Sequence, residues 1–175
     1  MPLELQDGRW SMLWRYHDRS MEIATQLLAF SRMAVRDRGV FWHLKIRWNI
    51  QIENLMHDFC YAVRKGIELT AKVHPEISDL AKTCFPHEEG GFVKILGEGR
   101  IQLCDRSFWW IVNRIIHSRD TFVKDQTIQE YVSPEPPHYI TNTFSPKFFG
   151  FFSDLDQDKE FRYVETEELL QCYLG

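Results

Sequence analysis

The run from residue 40 to residue 70 constrains this chain more than any other. Phe41, Leu44, Trp48, Ile52, Leu55, Phe59 and Val63 recur there at intervals of three or four, the spacing of one buried stripe on an α-helix. At about 100° per residue, Ile46, Ile50, Glu53, His57 and Tyr61 fall on nearly the opposite side, with Arg47, Asn54, Asp58 and Lys65 between. A helix with two faces turned from solvent belongs at the centre of a bundle.

The flanking segments supply elements to pack around it. Met21, Ala24, Leu27, Leu28, Met33 and Ala34 predict an amphipathic helix over 18–37, with Gly39 as its stop. Pro75 opens a short helix through Ile77, Leu80 and Ala81. Gly97 and Gly99 sit between two apolar runs and predict a β-hairpin at 92–103. Asp105 is placed to cap a helix over 106–123. Four prolines in "VSPEPPHYITNTFSPKFFGFF" exclude a regular helix. "KFFGFF", the acidic turn "SDLDQDKE" and "FRYV" read as a second hairpin, and Thr166, Glu167 and Glu168 start a last short helix. The expected fold is mainly α: a helical bundle with two small β-hairpins in a single domain, 1–175. Its core is 18–123, and 124–175 is a Pro- and aromatic-rich C-terminal extension.

Composition narrows the function classes. The net charge of −4 argues against binding nucleic acid through overall basicity. Cys60, Cys84, Cys104 and Cys172 form no CxxC pair, so a thiolate zinc site is not expected, and the wide spacing reads as reduced and cytoplasmic. "MPLELQDGRW" has no basic segment followed by an apolar run, so no secretory signal is expected. No apolar run approaches the ~18 residues that would span a membrane. Asp154, Asp156, Asp158 and Glu165 have the spacing of a calcium loop, but Lys159 holds the glycine position and the flanks read as strands, so an acidic turn is expected. "GEG" lies inside a hairpin and opens no phosphate-binding helix.

"WWIVNRIIHSRD", residues 109–120, carries the chemistry. On a helix, Phe108, Ile111, Ile115 and Phe122 share one side and Trp109, Val112, Ile116 and Val123 another. Asn113 and His117 are four apart and stack on one face, with Arg114 and Ser118 forming a narrow polar strip. Removing a polar group from water without a partner costs roughly 2–7 kcal/mol. The pair therefore bonds to each other or a neighbouring helix, or it lines a site, for instance where the helix meets its copy across a two-fold axis.

"VNRIIH" resembles the RNxxxH motif of the HEPN superfamily, helical-bundle proteins of toxin–antitoxin, abortive-infection and RNA-targeting defence systems. Asn113 falls on the motif's Asn and His117 on its His; the resemblance covers roughly residues 18–123. It implies a cytoplasmic homodimer that acts on RNA without metal or cofactor, the motif's Arg and His gathering around a scissile phosphate. Val112 stands where the motif has Arg, and Arg114 is the nearest substitute. If the chain cleaves RNA, the resemblance assigns His117 to acid–base chemistry, Arg114 to the phosphate and Asn113 to orienting them. Otherwise it is a catalytically degenerate relative that binds RNA or a protein partner.

Other groupings frame the alternatives. Arg32, Arg36, Arg38, Lys45 and Arg47, interleaved with Phe41, Trp42 and His43, have the character of a single-stranded RNA path. A solvated helix junction with the aromatics packed inward is the favoured reading of the same residues. Glu53 and His57 are i, i+4, with Tyr61 and Arg64 nearby. If that face meets His117, a metal-dependent hydrolase using His57 and His117 is an alternative. A further alternative is a non-enzymatic dimeric protein-interaction module.

Overall fold

The computed structural model describes residues 4–36, 41–84, 92–95, 101–104, 106–124, 143–155 and 161–174. The long stripe does form one helix, α2 (Phe41–Thr70), and it packs antiparallel against α1 (Glu4–Ser31). Ile23, Ala24 and Leu27 of α1 meet Ile52, Leu55, Met56, Phe59, Cys60 and Val63 of α2 in the core. Arg19 reaches Asp58 at 3.4 Å, and the rings of Tyr16 and Tyr61 lie 6.4 Å apart, which fixes the antiparallel register. Among the described side chains of the stripe, burial is full from Ile52 onward, Trp48 is half-buried and Leu44 is exposed. The opposite face is not uniformly shielded either. Ile46, Ile50 and Tyr61 are exposed, and only Glu53 and His57 are half-buried.

Helix α1 begins well before residue 18 and stops at Ser31, short of the expected end. The Ser31 hydroxyl donates to Leu28 O, and Val35–Arg36 (β1) leave the helix to pair with Thr143–Phe144 (β5). A β-branched residue beside a partner strand favours that exit. Gly39 lies outside the described residues. Pro75 directly precedes α3 (Glu76–Thr83), as its fixed φ suits.

The expected helix over 106–123 ends early. Ser107, not Asp105, caps α4 (Phe108–Ile116), its hydroxyl accepting from Trp110 N at 3.3 Å. Asp105 lies outside the described residues. His117 breaks the helix at φ −99°, ψ 17°, and Ser118–Lys124 run on as strand β4. Thr121, Phe122 and Val123 are β-formers, and here a sheet edge is available to them.

The two expected hairpins exist, β2 (Phe92–Ile95) with β3 (Ile101–Cys104) and β6 (Phe148–Ser153) with β7 (Arg162–Glu165). They are not separate decorations. Val93 pairs with Tyr163 and Lys94 with Arg162, while β4 adds along β6, giving one antiparallel five-stranded sheet in the order β3-β2-β7-β6-β4. The fold is thus mainly helical with an antiparallel sheet laid across α2 and α4.

The described part of the C-terminal segment belongs to the same core. Phe149, Phe151 and Val164 from the sheet, with Leu169 and Leu170 of α5 (Thr166–Leu174), join the cluster around Phe59 and Ile111. Cys84, after α3, is bonded to Cys172 of α5. The expectation that the widely spaced cysteines are all reduced is corrected at this pair, because folding brings together thiols 88 residues apart. Cys60 is a free, buried thiol whose pKa burial pushes far up.

Candidate functional site

Four polar residues of α2 lie on one narrow strip. At about 100° per residue, Glu53, His57, Arg64 and Glu68 fall within roughly 60° of arc. That strip faces the junction where α4 hands over to β4, and three contacts bridge the seam. The Thr121 hydroxyl donates to Glu53 Oε2 at 3.1 Å. His57 Nε2 is 3.4 Å from Ser118 Oγ. Arg64 Nη1 is 3.2 Å from His117 Nε2.

Proton bookkeeping assigns the tautomers. The Ser118 hydroxyl gives its one hydrogen to Ile115 O at 2.6 Å, so His57 Nε2 carries the proton of that contact. His57 also sits edge-on to Phe149, with ring centroids 6.5 Å apart. Burial lowers its pKa, opposed only by the charge of Asp58. Glu53 is shifted the other way: burial raises its carboxyl pKa and the Thr121 hydroxyl lowers it. Both groups are therefore pushed toward their uncharged forms.

At the third bridge a guanidinium can only donate, so His117 Nε2 is the acceptor of that contact. The His117 ring is exposed, while its carbonyl receives the hydroxyl of the fully buried Ser153 at 3.4 Å. Arg64 is held from behind. Its Nε donates to Glu68 Oε1 at 2.7 Å, and Lys65 Nζ reaches Glu68 Oε2 at 2.9 Å. Hydrogen bonds from Lys65 and Arg64 lower the Glu68 pKa, keeping it a carboxylate. The result is an imidazole and an anchored guanidinium, side by side at the surface.

The residues singled out by sequence are distributed differently from expectation. Asn113 donates to Trp109 O of its own helix at 2.7 Å. That bond is made within the helix and does not involve His117. Arg114 stacks on Trp110, its guanidinium carbon 4.9 Å from the ring centre, with Arg106 at 5.6 Å and Arg162 at 5.9 Å. Val112 is fully buried, so the position of the motif's Arg points into the core. Arg64 is the guanidinium beside His117.

Of the basic stretch, Lys45 lies over Phe144 at 5.6 Å and Arg47 is exposed. The Arg36 side chain and all of Arg38 lie outside the described residues. At about 1.5 Å of rise per residue, Lys45 and Arg64 are some 28 Å apart along α2, so Lys45 and Arg47 share no patch with His117. Among the described residues, no three His, Cys, Asp or Glu side chains are grouped to hold a metal ion.

Thr121 and Glu68 are not singled out by the sequence, and Ser118 is placed there only on a helical polar strip with Arg114. The periodicity of α2 carried a signal for Glu68, the fourth member of the polar strip. Ser118 and Thr121 carried none, since both were read as helical. Comparison with protein-family models, curated proteins and solved structures finds no match. None of the described helices is long and apolar enough to cross a membrane.

Proposed function

We propose that this chain handles RNA and that His117 and Arg64 are the pair that meets the phosphate. One observation carries the reading: the exposed His117 has a guanidinium 3.2 Å from Nε2. The pair supplies what the HEPN resemblance asks of an Arg and a His, but draws the Arg from α2. A bound phosphodiester would take the guanidinium from the imidazole, freeing the Nε2 lone pair. Nε2 then removes the 2′-hydroxyl proton, the 2′-oxygen attacks phosphorus and the bond to the 5′-oxygen breaks. Water protonates the leaving oxygen, and a 2′,3′-cyclic phosphate forms. Arg64 holds the developing charge on the phosphoryl oxygens, and Glu68 fixes its angle.

In this reading, single-stranded RNA is cut in the presence of EDTA. His117→Ala abolishes cutting, and Arg64→Gln lowers it by 10²-fold or more. Intact RNA after long incubation at high protein concentration removes the nuclease. RNA binding that Arg64→Gln leaves unaltered removes the site.

A second reading rests on a separate observation. Trp10 and Trp14 are 48% and 58% exposed on α1, with Met12 and Met21 also exposed. Large apolar side chains in water on one helix support a protein-partner or homodimer surface. Sedimentation of the native protein and of Trp14→Lys tests it, an unchanged monomer in both being the adverse result.

A further inference from the structure

A second feature lies on another side of α2. Gly66 is two residues beyond Arg64, about 200° round the helix. It borders a half-open cleft of about 210 Å³ between α1, α2, α3 and Tyr173 of α5. An apolar cavity of about 150 Å³ is enough to take benzene. Leu13, Val63, Ile67 and Ile77 make the walls apolar, and none of the described lining residues is Asp, Glu, Lys or Arg. A Cβ built on Gly66 meets nothing within 4 Å, so the missing side chain leaves open space.

The polar end of the cleft is ordered. Ser20 is fully buried and donates to His17 O at 2.7 Å. Its oxygen lies 2.6 Å from the Tyr173 hydroxyl. Since the Ser20 hydrogen is committed, Tyr173 donates to Ser20, and the Tyr173 oxygen is left as an acceptor. His17 Nδ1, on an exposed ring, stands 3.2 Å from that oxygen. The Tyr173 ring is clamped edge-on by Phe59 at 5.5 Å and stacked by Phe108 at 6.5 Å. The Cys84–Cys172 bond ties the α5 wall to the end of α3. The acceptor is therefore held in place, while the donor that now uses it is a surface side chain able to swing away.

We propose that this cleft binds a small neutral ring compound with one hydrogen-bond donor, of the phenol or indole class. Its ring occupies the space over Gly66 and its O–H or N–H replaces His17 at the Tyr173 oxygen. Charged ligands are disfavoured, because the walls offer no counter-charge. The proposal is independent of the RNA reading, and its test involves no RNA.

Phenol and toluene are the probes, titrated into the native protein by calorimetry and saturation-transfer NMR. In His17→Ala, where the Tyr173 oxygen has lost its present donor, phenol is expected to bind at least fivefold more tightly than toluene, the effect of about one net hydrogen bond. Tyr173→Phe should erase that preference, and Gly66→Leu should weaken both probes tenfold or more by filling the cleft. Gly66→Ala, whose added carbon enters open space, serves if the larger side chain prevents folding; it should weaken both probes measurably. The proposal is overturned if neither probe binds, if phenol keeps its preference in Tyr173→Phe, or if the folded Gly66 variants bind both probes as wild type does.

Discussion

At the scale of single residues, half-buried titratable groups give the sharpest consequences. The His57 pKa lies below its ordinary value of 6.5 because of burial, so the unfolded chain takes up a proton first as pH falls. Its contribution to stability is present above pH 6.5 and is lost as pH falls from there through the folded pKa. Glu53 acts in the opposite sense. Its raised pKa gives stability below the ordinary value of 4.5 that is lost as pH rises through the folded pKa. Urea unfolding from pH 7 downward should show a loss of stability beginning near pH 6.5 that is reduced in His57→Gln. The same slope in both proteins would show that His57 does not contribute. The polar strip holding these residues was legible in the sequence, because helical geometry alone sets it. What Asn113 bonds to was not, since a short amide can turn back on its own helix and nothing in a spacing reports that.

At the scale of elements, the sheet is where sequence and structure part. Residues 118–124 suit a helix or a strand, and neighbours decide which: β6 offers a partner, and Thr121 and Val123 then face inward against α2. The helical wheel drawn through Phe122 and Val123 fails for that reason. Both hairpins were legible, because glycines and aromatic runs mark them locally; their union into one sheet was not, because β2 and β7 are far apart in sequence. On the face away from α2, Gly150 lies under Phe122 and Tyr163. A Cβ there would be 2.9 Å from Tyr163 Cε1 and 3.0 Å from Phe122 Cε1. The two rings also meet edge-on at 5.5 Å, so an added Cβ has to push one ring against the other. Gly150→Ala should therefore cost about 1–3 kcal/mol, read as a lower urea midpoint. An unchanged midpoint would mean that the rings repack without cost.

At the scale of the whole molecule, one covalent bond encloses the larger sheet. The Cys84–Cys172 bridge spans 88 residues, and all five strands of the larger sheet lie between its ends. Closing a loop of that size in the unfolded chain is worth roughly 4.6 kcal/mol in the chain-entropy account. Cys172→Ser, or reduction with dithiothreitol, should lower the melting temperature by about 10 °C for a chain of this length. Equal melting with and without reductant, with the oxidised mass verified by spectrometry, would show that the bridge adds nothing. The pairing itself was not readable from spacing, since it depends on α5 folding back beside the end of α3. The same bridge changes how damage to the chain is seen. A peptide bond severed anywhere between Cys84 and Cys172 leaves two pieces still tied together, so a nick made by a protease stays hidden on a non-reducing gel. It shows as two bands only after the sulfurs are parted.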